Sequence, residues 1–209
     1  MKNFLLSFKL FYRLYQKVIR IKKNEYEFIN HIFRQTKNAK VLDLCCGDSF
    51  VLNYINENIQ NYTGIDNNEN YLKDSRTKYS NYKFINSDIE NINKILELNN
   101  DDVNFIFLNG AIHHLDNGIV ENLINALEER YPDAIFLTID PVKDNNKLLN
   151  RIMIYFDRGE HIRDKNEYKK LMKNFNSLTT DDFFIMSFKL IFHFKNLDLE
   201  KIYLNWKNN

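Results

Sequence analysis

The chain has 209 residues, 44% hydrophobic and 14% aromatic, with 29 Lys and Arg against 28 Asp and Glu. That is enough apolar material for one sizeable core, too aromatic for intrinsic disorder, and too evenly charged for a generic nucleic-acid coat, so no nucleic-acid partner is expected. Two cysteines, adjacent at Cys45 and Cys46, exclude a disulfide framework and make a reduced, cytoplasmic setting the expectation.

Charge is uneven along the chain. Residues 1–40 carry ten Lys and Arg against two Glu, so the remainder is acidic. Phe4, Phe8, Phe11, Tyr12, Tyr15, Val18 and Ile19 fall on one helical stripe, with Lys9, Arg13, Lys17 and Arg20 mostly opposite. The spacing predicts a basic amphipathic helix. Its lysines and arginines interrupt any signal-peptide core, and no run nears the ~20 apolar residues of a membrane span. A second helix is expected over 25–34, with Phe28, Ile29, Ile32 and Phe33 inward. Residues 1–36 therefore read as a helical extension, a lid or cap, and 37–209 as one domain.

From there the period changes. Short apolar runs at 41–44, 61–65, 82–85, 103–108 and 134–139 alternate with helical patterns near 51–55 and over 69–78, 89–98 and 119–129. Such alternation indicates an α/β, doubly wound, mostly parallel sheet with helices on both faces. Residues 147–155 look helical, and 157–163 form a charged loop. Asp164 with Glu167 three later opens another helix in capping-box fashion, ending near 174. Two β-prone runs, 183–194 and 202–206, close the chain.

Acids gather where such sheets bind ligands, at the carboxyl ends of strands. The first strand holds Asp43 and feeds a small-residue turn, Cys45-Cys46-Gly47-Asp48-Ser49, before a helix. Glycine is scarce, five in all, which makes Gly47 informative. Asp66, with Asn67 beside it, ends the second strand 23 residues after Asp43, where an acid accepts from both ribose hydroxyls. Asp88-Ile89 follows the third strand. This pair suits an adenine amino group and ring.

These residues resemble the class I S-adenosylmethionine-dependent methyltransferases over residues 25–171. Val41 to Ser49 is similar to the family's first motif, usually written with Asp-x-Gly-x-Gly-x-Gly, with Cys45 and Ser49 in place of its first and last glycines. Asn109-Gly110-Ala111-Ile112-His113-His114-Leu115 resembles the fourth-strand motif of many small-molecule members. The resemblance implies a Rossmann-like, seven-stranded sheet whose last two strands are the terminal β-prone runs. It implies S-adenosylmethionine as cofactor, held by Asp43, Cys45, Gly47, Asp66, Asn67, Asp88, Ile89 and Asn109. Ser49 takes the place of the glycine that normally allows close helix–strand packing, and cofactor binding is expected to survive. Asp157-Arg158-Gly159, with Arg163 and Tyr168, is similar to a pattern in a bacterial subset of the family. A dinucleotide is the competing ligand. It wants Gly-x-Gly-x-x-Gly for its pyrophosphate, and Asp48 stands where phosphate would approach.

Methyl transfer needs an aligned acceptor and, for a hydroxyl, a proton acceptor. His114, or His113 beside it, is the candidate base. Asp140 faces the same rim and either orients substrate or caps the next segment. Arg158 and Arg163 suit a carboxylate or phosphate, or else Asp157 pairs with them to knit the loop. No metal is expected, because a second Cys pair and His residues at ligand spacing are missing. The amino-terminal helix is compatible with three placements: against the sheet edge, as a lid bringing Tyr12 and Tyr15 to the acceptor, or on an anionic membrane. The expectation is a methyltransferase acting on oxygen of a small-molecule or glycan acceptor, cytoplasmic or membrane-peripheral. The alternatives are a cofactor-binding partner without catalysis and a dinucleotide-dependent oxidoreductase. Oligomeric state has no signal in the sequence.

Overall fold

The computed structural model describes residues 25–36, 38–99, 101–144, 154, 157, 159–180 and 189–208. The amino-terminal helix with Tyr12 and Tyr15, Arg158, and most of the helix expected over 147–155 lie outside the described residues.

Seven strands form one sheet: β1 (Ala39–Leu44), β2 (Ile59–Asp66), β3 (Lys83–Asn86), β4 (Phe105–Asn109), β5 (Ile135–Pro141), β6 (Asn176–Thr180) and β7 (Leu190–Lys195). Their order is β3-β2-β1-β4-β5-β7-β6. β1 to β5 pair in parallel, and β7 runs antiparallel to both β5 and β6. The chain reverses its direction of travel between β1 and β4. That leaves a crevice at their carboxyl ends, the place where doubly wound sheets take ligands.

Seven helices accompany the sheet among the described residues: α1 (Glu25–Gln35), α2 (Leu52–Ile55), α3 (Glu69–Lys78), α4 (Ile92–Leu98), α5 (Asn117–Arg130), α6 (Lys165–Leu171) and α7 (Leu199–Lys207). Alternation along β4 shows why both faces must be covered. Phe105 and Phe107 join one apolar cluster, with Phe28, Phe33 and Phe192. Ile106 and Leu108 join the other, with Leu123, Leu127 and Tyr168. Phe28, Ile29, Ile32 and Phe33 of α1 are fully buried, each worth about 1.5–3 kcal/mol over exposure. Phe33 stacks on Phe105 with centroids 4.3 Å apart.

The expected identity of the last two strands needs correction. β6 is Asn176–Thr180, a segment of small polar residues on the sheet edge. β7 covers the end of the 183–194 run, whose residues 183–188 lie outside the described set. Residues 202–206 are helical, not extended. Their aromatic, β-branched composition suits a strand, but the arrangement of buried groups decides otherwise. Leu199 and Tyr203, four apart, face inward. Tyr203 and Trp206 both meet the Phe28 ring, at 5.6 and 5.1 Å, and Asp198 caps the first turn by accepting from the Lys201 N–H.

Candidate active site

The turn after β1 alternates into left-handed backbone: Cys45, Gly47 and Ser49 have φ of 60°, 57° and 52°. These are the three positions at which the resembling motif carries glycine, so the geometry is kept where two of the glycines are not. An L-residue in that region costs roughly 1–2 kcal/mol. Ser49 stands at the third of these positions. It is fully buried, and its Oγ meets the Ser75 hydroxyl of α3 at 3.3 Å, so a small partner receives it. The Cys46 side chain lies over Gly64 of β2, where a Cβ would stand 2.8 Å from Sγ. Burial, reinforced by nearby carboxylates, pushes both thiols well above their ordinary range. They are packing residues, not nucleophiles.

Two backbone N–H groups set the second acid. Gly47 N–H donates to Asp66 Oδ2 and Asn68 N–H to Oδ1, both at 2.8 Å. Asp66 therefore bridges the β1 turn and the start of α3, one donor on each oxygen. Asp88 is prepared similarly: Oδ1 accepts from the Glu90 N–H at 3.1 Å and Oδ2 from the Asn67 amide at 3.2 Å. Ile89 beside it is buried. Asp66, Asp88 and Asn109 remain partly exposed, and Asn67 is exposed.

Asp43 is placed differently from its expected part as a direct cofactor contact. It is 2% exposed, and the buried Tyr62 hydroxyl donates to its Oδ2 at 2.5 Å. Burial pushes the Asp43 carboxyl up to about 7, against the pull of Tyr62. It supports the turn from beneath.

β4 leads through Asn109 and Gly110 (φ 68°) into a 3-10 turn, Ile112–His114. Here the two candidate bases part. His114 is exposed. His113 is 5% exposed, and its backbone N–H and ring Nδ1 both meet Asp140 Oδ1, at 3.1 and 2.9 Å. Its Nε2 lies 3.4 Å from Asp157 Oδ1. Burial opposes charge on the ring, but hydrogen bonds to the two carboxylates and their charges outweigh it, and the His113 pKa is held up to about 9. With the ring buried and a carboxylate at each nitrogen, neither nitrogen of His113 is turned toward an acceptor in this arrangement. Asp140, fully buried, is committed to His113 and does not reach a substrate. Burial raises its carboxyl against the pull of His113.

Arg163 is likewise committed. It donates to Asn117 Oδ1 and to the carbonyls of Ile112, His161 and Leu115, at 2.6–3.0 Å. A buried guanidinium engaged in four such bonds is a brace, not a substrate anchor. Sequence reasoning missed Tyr62 and the contact between Asp157 and His113. The Asp-x-Gly spacing was the available sign for the second. Among the described residues, no group of three or more His, Cys, Asp or Glu is arranged to hold a metal ion. No helix among them is long and apolar enough to cross a membrane.

Residues 35–203 match the profile of a family described as methyltransferase domain. No curated protein is a detectable sequence relative. Among solved structures, the chain is similar to the plantazolicin methyltransferase BpumL, solved with a triazolic desmethylPZN analogue and S-adenosylhomocysteine. There the TM-score is 0.65 at 12% identity, covering 94% of this chain and 95% of that one. It is also similar to an S-adenosylmethionine-dependent methyltransferase from Clostridium acetobutylicum, with a TM-score of 0.63 at 13% identity over 90% and 98%. Against mitomycin 7-O-methyltransferase MmcR the TM-score is 0.60 at 13% identity; 82% of this chain is covered, which spans 54% of that one. At these identities the TM-scores show a shared fold and nothing further.

Proposed function

Because the chain belongs to the methyltransferase-domain family, whose chemistry draws on S-adenosylmethionine, we propose that it methylates an oxygen of a small-molecule or glycan acceptor. The observation that carries this reading is the bridge made by Asp66, whose two oxygens are aimed by the Gly47 and Asn68 N–H groups.

The residues present fit the cofactor. Nothing lies within 4 Å of where a Cβ on Gly47 would stand, so the turn keeps an open floor. Partly exposed carboxylates wait at the ends of the next two strands. Asp66 would hold the ribose hydroxyls through its remaining lone pairs, and Asp88 with Asn67 and Ile89 the adenine. When bound, the cofactor supplies an electrophilic methyl group on a sulfonium. The chain's own part is to align the acceptor, exclude water and take a proton. His114, exposed on the turn after β4, is the candidate to take the proton. Small-molecule and O-methylating neighbours of the same fold support the acceptor class.

Calorimetry tests the reading directly. S-adenosylhomocysteine should bind and NAD should not; binding of NAD alone would overturn it. An acceptor screen following release of S-adenosylhomocysteine then separates an active enzyme from a cofactor-binding partner.

A further inference from the structure

The residues Asp157, Gly159, Arg163 and Tyr168 stand outside the cofactor side, yet all of them converge on the end of β4 and its neighbour β5. His113 is the hub. Asp140 holds its N–H and Nδ1, Asp157 faces its Nε2, and its carbonyl accepts the His161 N–H at 2.9 Å. Gly159 fits only as glycine: a Cβ there would collide with the His113 ring and stand 2.8 Å from its carbonyl oxygen. The Gly159 N–H in turn donates to Asp157 Oδ1 at 2.7 Å. Arg163 ties the carbonyls on either side of the two histidines. The Tyr168 hydroxyl donates to the Pro141 carbonyl at 3.2 Å, and its ring lies 5.8 Å from the guanidinium.

With a carboxylate at each ring nitrogen, both nitrogens serve as donors only while both carry protons. Remove one proton and a lone pair faces an anion. The weaker of the two contacts gives way first. That is Asp157, at 3.4 Å with a side chain 23% exposed, against 2.9 Å and 0% for Asp140.

We propose that His113 and Asp157 form a latch holding the strap of Asp157, Gly159, His161 and Arg163 against the turn after β4. His113 is thereby a positioning residue for the acceptor side of the cleft. Its ring, 4.1 Å from that of His114, sets where the exposed imidazole stands. The inference rests on reading that turn as the acceptor side. The titratable and charged groups facing His113 are Asp140 from β5, Asp157 from the strap and His114 from the same turn. His161 approaches through its N–H, and Arg163 and Tyr168 stand behind these. Burial alone would raise the Asp157 carboxyl, but hydrogen bonding and charge from His113 hold it below its usual range. The latch is closed at neutral pH and opens as pH rises through about 9, where His113 loses its proton.

The test uses the full chain and needs no acceptor. Residue-resolved hydrogen exchange, corrected for intrinsic rates, should show His161 amide protection falling at least tenfold as pH rises through 9. Asp157→Asn should show the same loss already at pH 7, with Asp157→Glu restoring it, while S-adenosylhomocysteine affinity stays within twofold. In the wild type, the His114 C2-proton resonance should move in step with the His113 titration. Unchanged His161 protection through pH 9, a loss of protection spread equally through β4 and β5, or a His114 resonance indifferent to His113 would each overturn the latch. The wild-type pH series keeps the test decisive if Asp157→Asn fails to fold. Failure of the wild type to bind S-adenosylhomocysteine would instead overturn the proposed function and leave the exchange result standing.

Discussion

Asp66 holds two backbone donors and would hold two ribose hydroxyls, so its replacement removes charge-assisted hydrogen bonds on both sides. Asp66→Ala should weaken S-adenosylhomocysteine binding by about 1–3 kcal/mol, read by calorimetry on a protein whose circular dichroism is unchanged. Equal affinity in a folded variant would place the ribose elsewhere. Tyr62→Phe makes a different demand. The Asp43 carboxyl reaches about 7 in the folded chain against ~3.9 unfolded. Its cost to stability therefore grows as pH rises between these values and is constant above. Without the Tyr62 donor the folded pKa climbs further, so the cost keeps growing beyond pH 7. Urea unfolding should show Tyr62→Phe destabilised by about 1–3 kcal/mol, more at pH 8 than at pH 6. Equal loss at both would mean that Asp43 is not the partner that matters. Asp66 and Asp88 were legible because an acid at a strand end needs only sequence spacing. The Tyr62–Asp43 bond was not legible. It depends on register: Tyr62 sits opposite Val41 and Gly64 opposite Asp43, which leaves the tyrosine room to reach diagonally forward.

At the scale of elements, βα alternation was readable from 41 to 139 because the parallel strands, covered on both faces over most of the sheet, each centre on a short apolar run. The carboxyl-terminal third obeys other rules. β6 has no such run, since an edge strand needs few apolar groups, and α7 carries strand-like residues made helical by its contacts with α1. Local polar chemistry, by contrast, was readable. Asp164 accepts from the Asn166 and Glu167 N–H groups while Glu167 returns a bond to the Asp164 N–H, the reciprocal pair expected from their spacing. Asp164→Ala should cost about 1 kcal/mol of stability by chemical denaturation and leave S-adenosylhomocysteine affinity unchanged, because α6 touches the β5 end and not the cofactor turn. A loss of affinity with unchanged stability would contradict that division of labour.

For the whole molecule, the dependence of stability on pH follows from buried and half-buried groups whose effects differ in sign. His193 is 1% exposed on β7, and burial pushes its pKa down to about 3. Between the unfolded value of ~6.5 and 3, the unfolded chain binds the extra proton, so stability falls as pH falls. Asp43 acts oppositely from ~3.9 to 7, where the folded chain binds the extra proton and stability falls as pH rises. Asp140 is shifted up and Asp157 down, so their contributions are opposite in sign. From pH 4 to 6.5 the His193 and Asp43 slopes, each roughly 1.4 kcal/mol per unit, nearly cancel. Above 6.5 the Asp43 slope ends near 7, the raised Cys45 and Cys46 thiols add a loss toward pH 9, and the raised His113 acts throughout: its stabilisation is complete below the unfolded value and is lost as pH rises to about 9. Urea unfolding at pH 5, 6.5 and 9 should therefore give equal free energies at the first two and a lower one at the third. His193→Leu removes one of the cancelling slopes and should be relatively more stable at pH 5 than at 6.5. A wild-type loss on acidification from 6.5 to 5, or no loss toward pH 9, would show that these buried groups do not govern the profile.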